Sequence, residues 1–493
     1  MADDSILYDI AVIGGGVNGA GIARDAAGRG AKVLLLEKGD LARGTSSAST
    51  KLIHGGLRYL EHYEFALVRE ALGERELLWG MAPHIIWPLR FVLPHRKGLR
   101  PRWLLRLGLF LYDHIGGRRD LPAAQSVDLT RHAAGEPLQE QFRKAFLYSD
   151  CWVDDARLVV LNARDAADRG ATIRTHCQVT AMERAPDHWR ISAGEEEFHA
   201  RAVVNAAGPS VLDLVDLSGV QTRYRMRLVR GSHIIVPRLF DHPNAYFFQL
   251  PDGRIFFAIP YQDDFTLVGT TDADHTGSLD DIHASEQEIQ YLCDGVNGYF
   301  RQQITPADVV WTYSGVRALV DDGSGKPEAA TRGYRMELNG GQGMPPFLSV
   351  FGGKITSFRH LAAEAVDRLK PHCAALQGGD WTGDAPLPGG DFPKDGAADL
   401  AEKLIAAHGF LTAREAQRLV RAYGTTAFAI LSGAQQRSDL GQDFGHGLSA
   451  REVDHLVSRE WARCAEDILW RRSKLGLLFD AAQCAALEAY LAG

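Results

Sequence analysis

A chain of 493 residues with 45% apolar and 24% charged side chains has the composition of a folded globular protein, and the length for about three domains. That excludes a disulfide-stapled miniature and a predominantly disordered chain. With 54 Lys and Arg against 62 Asp and Glu, the formal charge of −8 argues against a protein that wraps nucleic acid.

The opening residues MADDSILYD are acidic and lack the basic–apolar pattern of a secretory leader. No run of 18 apolar residues occurs, so no membrane-spanning helix is expected. The six cysteines are scattered, with no CxxC pair, which fits a reducing compartment and no cysteine metal cluster.

In chain order, Tyr8–Ile13 predicts a buried parallel strand, Asn18–Gly30 a small-residue helix, and Lys32–Leu36 a second strand closed by Glu37. Together they make one βαβ unit. Gly14-x-Gly16-x-x-Gly19 sits at its first turn, with Glu37 at the end of the second strand. In that context the glycines bring backbone N–H groups at a helix N-terminus to a pyrophosphate, and Glu37 accepts from ribose hydroxyls. The fingerprint alone does not separate FAD from NAD. Flavin is favoured by the β-rich insertion further on, and by the Ser/Thr/Gly-rich stretch Gly44–Gly56, which can lie along a second phosphate and a flavin ring.

Residues 90–119 carry eight basic side chains and one acid, net +7, interleaved with Trp103, Leu104, Leu105, Leu107, Leu109, Phe110, Leu111, Tyr112 and Ile115. Basic flanks around an aromatic–leucine body predict an interfacial helix on an anionic lipid surface. A helix crossing the core and a nucleic-acid patch remain the alternatives. The other 463 residues then carry −15, an acidic body with one basic, apolar patch.

Leu158–Arg169 reads as a helix, Ala171–His176 as a strand, and Ala202–Asn205 as a buried strand ending in Ala206-Ala207-Gly208-Pro209. Ser232–Pro237, Ala245–Leu250, Arg254–Pro260 and Phe265–Asp272 are short β-rich runs separated by turns at Pro251–Gly253 and Gln262–Asp264, which predicts an antiparallel domain. Pro345–Phe358 predicts a strand that meets a helix at a glycine pair. Residues 377–396 are rich in Gly and Pro and read as a linker. The remainder reads as helical, with capping-box patterns at Thr412/Glu415 and Ser449/Glu452, and the DFG at Asp443–Gly445 reads as a turn.

The segments GGGVNGAGIARDAAGRG, GTSSASTKLIHGGLRYLEHYEFALVREAL, YSDCWVDDARLV, WTYSGVRAL, LSVFGGKITS and DLGQDFGH together resemble the aerobic, FAD-dependent glycerol-3-phosphate dehydrogenases, from about Tyr8 to the C-terminus. The resemblance implies a D-amino-acid-oxidase-like fold: α/β plus antiparallel β, with a doubly wound FAD-binding domain, an inserted antiparallel substrate domain and a C-terminal α-helical cap. The expected divisions are 1–85, 150–215 and 340–376 for FAD, and 86–149 for a membrane-docking insertion. Residues 216–339 are expected to form the substrate domain, 377–396 the linker and 397–493 the cap. Also implied are noncovalent FAD, no metal, oxidation of sn-glycerol 3-phosphate to dihydroxyacetone phosphate, and membrane quinone as acceptor. A homodimer, peripheral on the cytoplasmic face of the membrane, is the expected assembly. The tail lacks the cysteine-rich pattern of anaerobic relatives, and no EF-hand pattern occurs. A glycerol-3-phosphate oxidase using oxygen, an amine or amino-acid oxidase, and a non-catalytic flavin- or nucleotide-binding membrane adaptor are the competing readings.

Carried onto this chain, the resemblance adds Asn18, Thr45, Ser46, Ser47, Lys51, Leu52 and His54 to Gly14, Gly16, Gly19 and Glu37 as cofactor residues. Ala207, Gly208, Gly353, Lys354, Ile355 and Thr356 complete that set. It places Arg58, Tyr59, Arg317, Arg332 and Lys354 around substrate and flavin, and a phosphomonoester does require several cations, best supplied as forked arginines. Thr270 and Thr271 are expected in the cavity wall. His233, at the start of an apolar strand, is the candidate base. His54 is the second.

Overall fold

The computed structural model describes the chain except for residues 1–5, 58–59, 61–62, 97–100, 117–119, 251–252, 322–332 and 342. Arg58, Tyr59 and Arg332 lie outside the described residues.

The βαβ unit forms as β1 (Leu7–Ile13), α1 (Val17–Gly28) and β2 (Val33–Leu36). Both strands are apolar on both faces because both faces are covered. Ile10, Val12, Val33 and Leu35 enter one core, and Ala11, Ile13, Leu34 and Leu36 enter another. In the first sheet β2 pairs with β1 and with β7 (Thr172–Arg174). Next to β1 comes β10 (Glu196–Asn205), followed by β18 (Met344–Gly352), all parallel. An antiparallel edge strand β17 (Tyr334–Gly341) and the ribbon of β8 (Ala181–Arg184) and β9 (Trp189–Ala193) complete it. Helices α4 (Asp155–Asp168) and α7 (Phe358–Leu369) pack on α1. Small residues on α1 permit the close approach; a Cβ at Gly21 would lie 2.8 Å from the Phe358 ring.

The second sheet is antiparallel in all but one pairing. Its strands are β11 (Met226–Pro237), β12 (Ala245–Gln249), β13 (Ile255–Tyr261), β14 (Phe265–Gly269), β15 (Ala273–Asp274) and β16 (Trp311–Val320). It continues through the one parallel pair, β12 with β4 (Ile86–His95), to β6 (Lys144–Val153), β3 (Leu52–Ile53) and β5 (Gln125–Asp128). Both ends of the expected 86–149 insertion are therefore strands of this sheet, and β17 places residues 334–339 in the first sheet rather than the second domain. Long-range pairing decides these memberships, and the apolar run Phe91–Leu93 carries no label for its partner.

Between β4 and β5 stands α3 (Arg102–Ile115), beside α2 (Phe65–Met81). Leu109 and Tyr112 face inward, while Trp103, Leu107 and Phe110, at i, i+4 and i+7, are 69%, 47% and 50% exposed. α5 (Val211–Ser218) follows β10, and α6 (Glu286–Asn297) covers β11 and β14.

Residues 377–396 are not a free tether. Leu387 is buried in the first core, the Thr382 and Ala385 carbonyls accept from the buried Arg24 guanidinium, and Asp380 pairs with Arg359. Gly and Pro in this stretch serve an irregular but anchored strap. Beyond it α8 (Ala397–Ala407), α9 (Ala413–Tyr423), α10 (Thr426–Ile430), α11 (Ala450–Glu460) and α12 (Ala481–Ala492) enclose their own core. The Thr412/Glu415 capping box forms. At the second expected box Ser449 caps α11, but the Glu452 carboxylate holds Arg418 and Tyr423. The DFG is not a turn. It is strand β19 (Asp443–Gly445), paired with β20 (Leu448–Ser449). Buried ion pairs tie this helical unit to the first domain: Arg157 with Glu460, Arg471 and Arg472 with Asp40, and Lys474 with Asp154. Breaking such a pair on one side costs about 3–5 kcal/mol, because a buried charge is left uncompensated.

Candidate functional site

A single cavity of about 1510 Å3 begins at the C-terminal ends of β1, β2, β10 and β18 and reaches the wall formed by β11, β14 and β16. Crevices at the carboxyl ends of parallel strands are where open α/β sheets bind ligands.

At the nucleotide end the contacts come from backbone. Gly14 turns off β1 at φ 115°, and a Cβ there would lie 2.5 Å from the Ala206 carbonyl oxygen. A Cβ on Gly19 would lie 1.9 Å from the Gly14 carbonyl oxygen, so only glycine lets α1 start where it does. α1 begins at Val17 without a capping side chain from Gly16, and Gly16, Val17 and Asn18 line the cavity. Ser46 Oγ accepts from the Val17 N–H at 3.0 Å, and the Asn18 amide donates to the Gly352 carbonyl at 3.2 Å. Glu37 is held by the Gly15 N–H at 2.6 Å and the Gly39 N–H at 2.8 Å. Its carboxylate is thereby fixed and keeps lone pairs for ribose hydroxyls.

The middle of the cavity is walled by Thr45, Ser46, Leu52 and His54 on one stretch, Ala207 and Gly208 on another, and Gly353, Lys354, Ile355 and Thr356 after β18. Thr45 Oγ1 donates to the Val316 carbonyl at 2.5 Å, joining the first domain to the second sheet. This cradle fits a flavin dinucleotide: a long cavity, glycine backbone where side chains would clash, a helix N-terminus at the cavity and a fixed acid at the ribose position.

At the far wall, antiparallel register brings the reactive groups together. His233 on β11 pairs across with Gly269 on β14 and Tyr313 on β16. Its ring stacks on Tyr313 with centroids 4.7 Å apart. Its Nε2 lies 3.0 Å from Oγ1 of Thr50, a cavity residue, whereas Nδ1 is buried with no partner among the described residues. Burial, then the charges of Lys51 and Arg317, push the imidazole pKa well below 6.5, so it stands neutral. Arg317 Nη2 donates to the Thr271 carbonyl at 2.9 Å and pairs with Asp272 at 2.7 Å. Thr270, Arg317 and Lys354 all line the cavity.

Three expected cofactor residues do not line it. Gly19 serves helix–strand packing, and Ser47 offers its carbonyl to Lys51 Nζ at 3.0 Å. Lys51 is buried against Asp155 at 2.7 Å and lies behind Tyr313, 5.0 Å from its ring centre. Thr271 lies just behind the wall rather than in it. Conversely, Thr50, Asp272, Glu466 and Arg471 line the cavity and were not expected. Thr50 and Asp272 sit beside expected residues, so neighbourhood was a usable signal. Glu466 and Arg471 come from the helical unit, and nothing local in the sequence points from them to a nucleotide cavity.

Comparison with known proteins bears on this geometry. The family described as FAD dependent oxidoreductase matches residues 9–359, and the C-terminal domain of alpha-glycerophosphate oxidase matches residues 381–491. A glycerol-3-phosphate dehydrogenase of Pseudomonas aeruginosa is 51% identical over 98% of this chain and 95% of its own. A D-erythritol 1-phosphate dehydrogenase of Brucella abortus is 51% identical over 97% of this chain and 96% of its own. The aerobic glycerol-3-phosphate dehydrogenase of Escherichia coli is 46% identical over 98% and 97%. In three dimensions the chain superposes on the glycerol-3-phosphate dehydrogenase of Bacillus halodurans complexed with FAD. The TM-score is 0.77 at 25% identity, covering 99% of this chain and 89% of that one.

Proposed function

The chain belongs to the family of FAD-dependent oxidoreductases, and we propose that it oxidises sn-glycerol 3-phosphate to dihydroxyacetone phosphate. The observation that carries this reading is one cavity lined by a neutral imidazole and Arg317 at the far wall, by Lys354 midway, and by a dinucleotide cradle at its other end.

FAD, when bound, supplies the acceptor for the hydride that leaves C2 of the substrate. The residues do the rest. Arg317, held in place by Asp272 and the Thr271 carbonyl, and Lys354 meet the phosphate as charge-assisted donors. His233 takes the C2 hydroxyl proton at Nε2, the nitrogen beside the cavity residue Thr50. Being neutral, it is ready as a base, and the nearby cations favour the alkoxide as it develops. Arg58, Tyr59 and Arg332 are further substrate ligands in this reading.

A second substrate is favoured by one finding, the equal identity to a D-erythritol 1-phosphate dehydrogenase. Both compounds are phosphorylated polyols, so the anion site is shared and the tail of the substrate differs. Anaerobic addition of each compound to the FAD-loaded protein separates them. Bleaching of the yellow flavin by glycerol 3-phosphate at lower concentration supports the reading. Bleaching only by the erythritol phosphate reassigns the substrate, and no bleaching by either overturns the function.

We infer that the electrons pass to membrane quinone and that α3 docks the protein on the lipid surface. Among the described residues no helix is long and apolar enough to cross a membrane. The exposed stripe of Trp103, Leu107 and Phe110, flanked by Arg102 and Arg106, supports an interfacial role, as do exposed Tyr63 just before α2 and Phe65 at its start. Cosedimentation with anionic vesicles is expected for the wild type and lost on changing Arg102 and Arg106 to Glu. Unchanged binding contradicts the docking. Peroxide released in step with substrate oxidation, with no quinone reduction, replaces quinone by oxygen as the acceptor.

A further inference from the structure

Behind the far wall lies a buried carboxylate that the mechanism above does not use. Glu288 is the third residue of α6 and only 8% exposed. It belongs to a capping box with Ser285, whose N–H and hydroxyl reach Oε2 at 3.0 and 2.9 Å. A capping-box acid usually ends its work there. This one also accepts from Arg230 Nη2 at 2.7 Å on Oε2. On Oε1 it accepts from the Thr271 hydroxyl at 2.7 Å and the Ser232 hydroxyl at 2.9 Å.

Those two hydroxyls belong to β11 and to the connection from β14 to β15, which build the wall. Thr271 lies between Thr270 and Asp272, which line the cavity, and its carbonyl accepts from Arg317. Its Oγ1 in turn accepts from the Ser232 N–H at 2.9 Å. Ser232 precedes His233, and its hydroxyl accepts from Ser314, another cavity residue, at 2.8 Å. One carboxylate thus pins, from behind, the backbone on both sides of the cavity cations and the imidazole. Burial works against its charge, but the Ser285 N–H, the hydroxyls of Thr271 and Ser232, and Arg230 more than offset it, so its pKa falls below the usual glutamate value.

We propose that Glu288 is a positioning residue for substrate binding, fixing Thr271 and Ser232 so that Arg317 meets the phosphate of a phosphorylated polyol in register. It touches neither substrate nor flavin, and it acts through the Thr271 carbonyl and the β11 backbone. The proposal rests on the reading that Arg317 holds the substrate phosphate.

The test uses the FAD-loaded enzyme and glycerol 3-phosphate. For Glu288→Gln, KM should rise about tenfold, the scale of losing one charge-assisted hydrogen bond, with kcat within about twofold and FAD content unchanged. Thr271→Val, which removes the link to Glu288 but keeps the shape, should raise KM similarly, and the double variant should add little more. Arg230→Met removes the partner that holds Glu288 chiefly at Oε2 and leaves the Thr271 and Ser232 hydroxyls on Oε1, so its KM should stay within about twofold of the wild type. If Glu288→Gln does not fold, Thr271→Val against Arg230→Met carries the comparison. An unchanged KM in Glu288→Gln or Thr271→Val overturns the proposal. So does a rise in Arg230→Met as large as theirs, which indicates general loosening. A wild type whose flavin no phosphopolyol reduces overturns the reading beneath the proposal, and the proposal with it.

Discussion

The two ends of the cavity are built on different principles. The nucleotide end uses backbone: glycines with no room for a Cβ, a helix start at the cavity, and one acid fixed by two N–H groups. The far wall uses side chains set by strand register: His233 opposite Gly269 and Tyr313, and Arg317 three pairs along the same ladder from Ser314. A backbone site tolerates no added atom, whereas a side-chain site tolerates substitution but loses chemistry. Substitutions at the two ends should therefore fail in different ways.

The largest effect is expected at the nucleotide end. Gly19→Val places a branched side chain where the Gly14 carbonyl oxygen already sits, and the helix must move off its strand. The purified protein should contain essentially no flavin, read directly from its visible absorbance. A yellow Gly19→Val protein with ordinary FAD content breaks the comparison.

At the far wall the next effect is kinetic. His233→Asn should keep its flavin and slow anaerobic flavin reduction by about 10²–10⁴-fold, the usual contribution of a positioned base. The wild-type rate at saturating substrate should stay flat as pH falls from about 8 through 6.5, because burial and the nearby cations lower the imidazole pKa well below its ordinary value. A limb centred near 6.5 would mean a solvated histidine and would blur the distinction between the two ends.

The smallest effect concerns the frame they share. His84 is fully buried near the junction with the helical unit, and burial, then Arg157 and Arg421, lower its pKa from 6.5 to about 3. The unfolded chain therefore binds this proton first. The stability that neutral His84 contributes is complete above pH 6.5 and is lost as pH falls, by about 1.4 kcal/mol per unit. Between pH 7 and 5 the wild type should lose about 2 kcal/mol more than His84→Leu in chemical denaturation. Equal losses would remove His84 from the acid response.

The same contrast governs what was legible from sequence. Gly14, Gly16 and Glu37 stand where the fingerprint places them because one local βαβ unit makes that site. Gly19 and Lys51 are legible as important but not as to how: Gly19 lets α1 pack against its strand and Lys51 sits behind Tyr313, and a motif does not reveal depth. Arg317 is named through the resemblance and His233 through its place on an apolar strand, and their meeting depends on pairings between segments far apart in the chain. β4 and β6 joined the second sheet through one parallel pair that no periodicity announces. Glu466 and Arg471 reach the cavity from the helical unit through the buried pairing of Arg471 with Asp40, a contact across 431 positions.

The most direct test of the account is made on one sample of Arg317→Met. Its FAD content should equal that of the wild type. Anaerobic glycerol 3-phosphate, at a concentration that bleaches the wild type, should leave its flavin yellow, with half-reduction requiring about 100-fold more substrate, as expected for losing a charge pair. Bleaching at the wild-type concentration would contradict Arg317 as the phosphate anchor. A colourless purified variant would contradict the separation of the two ends.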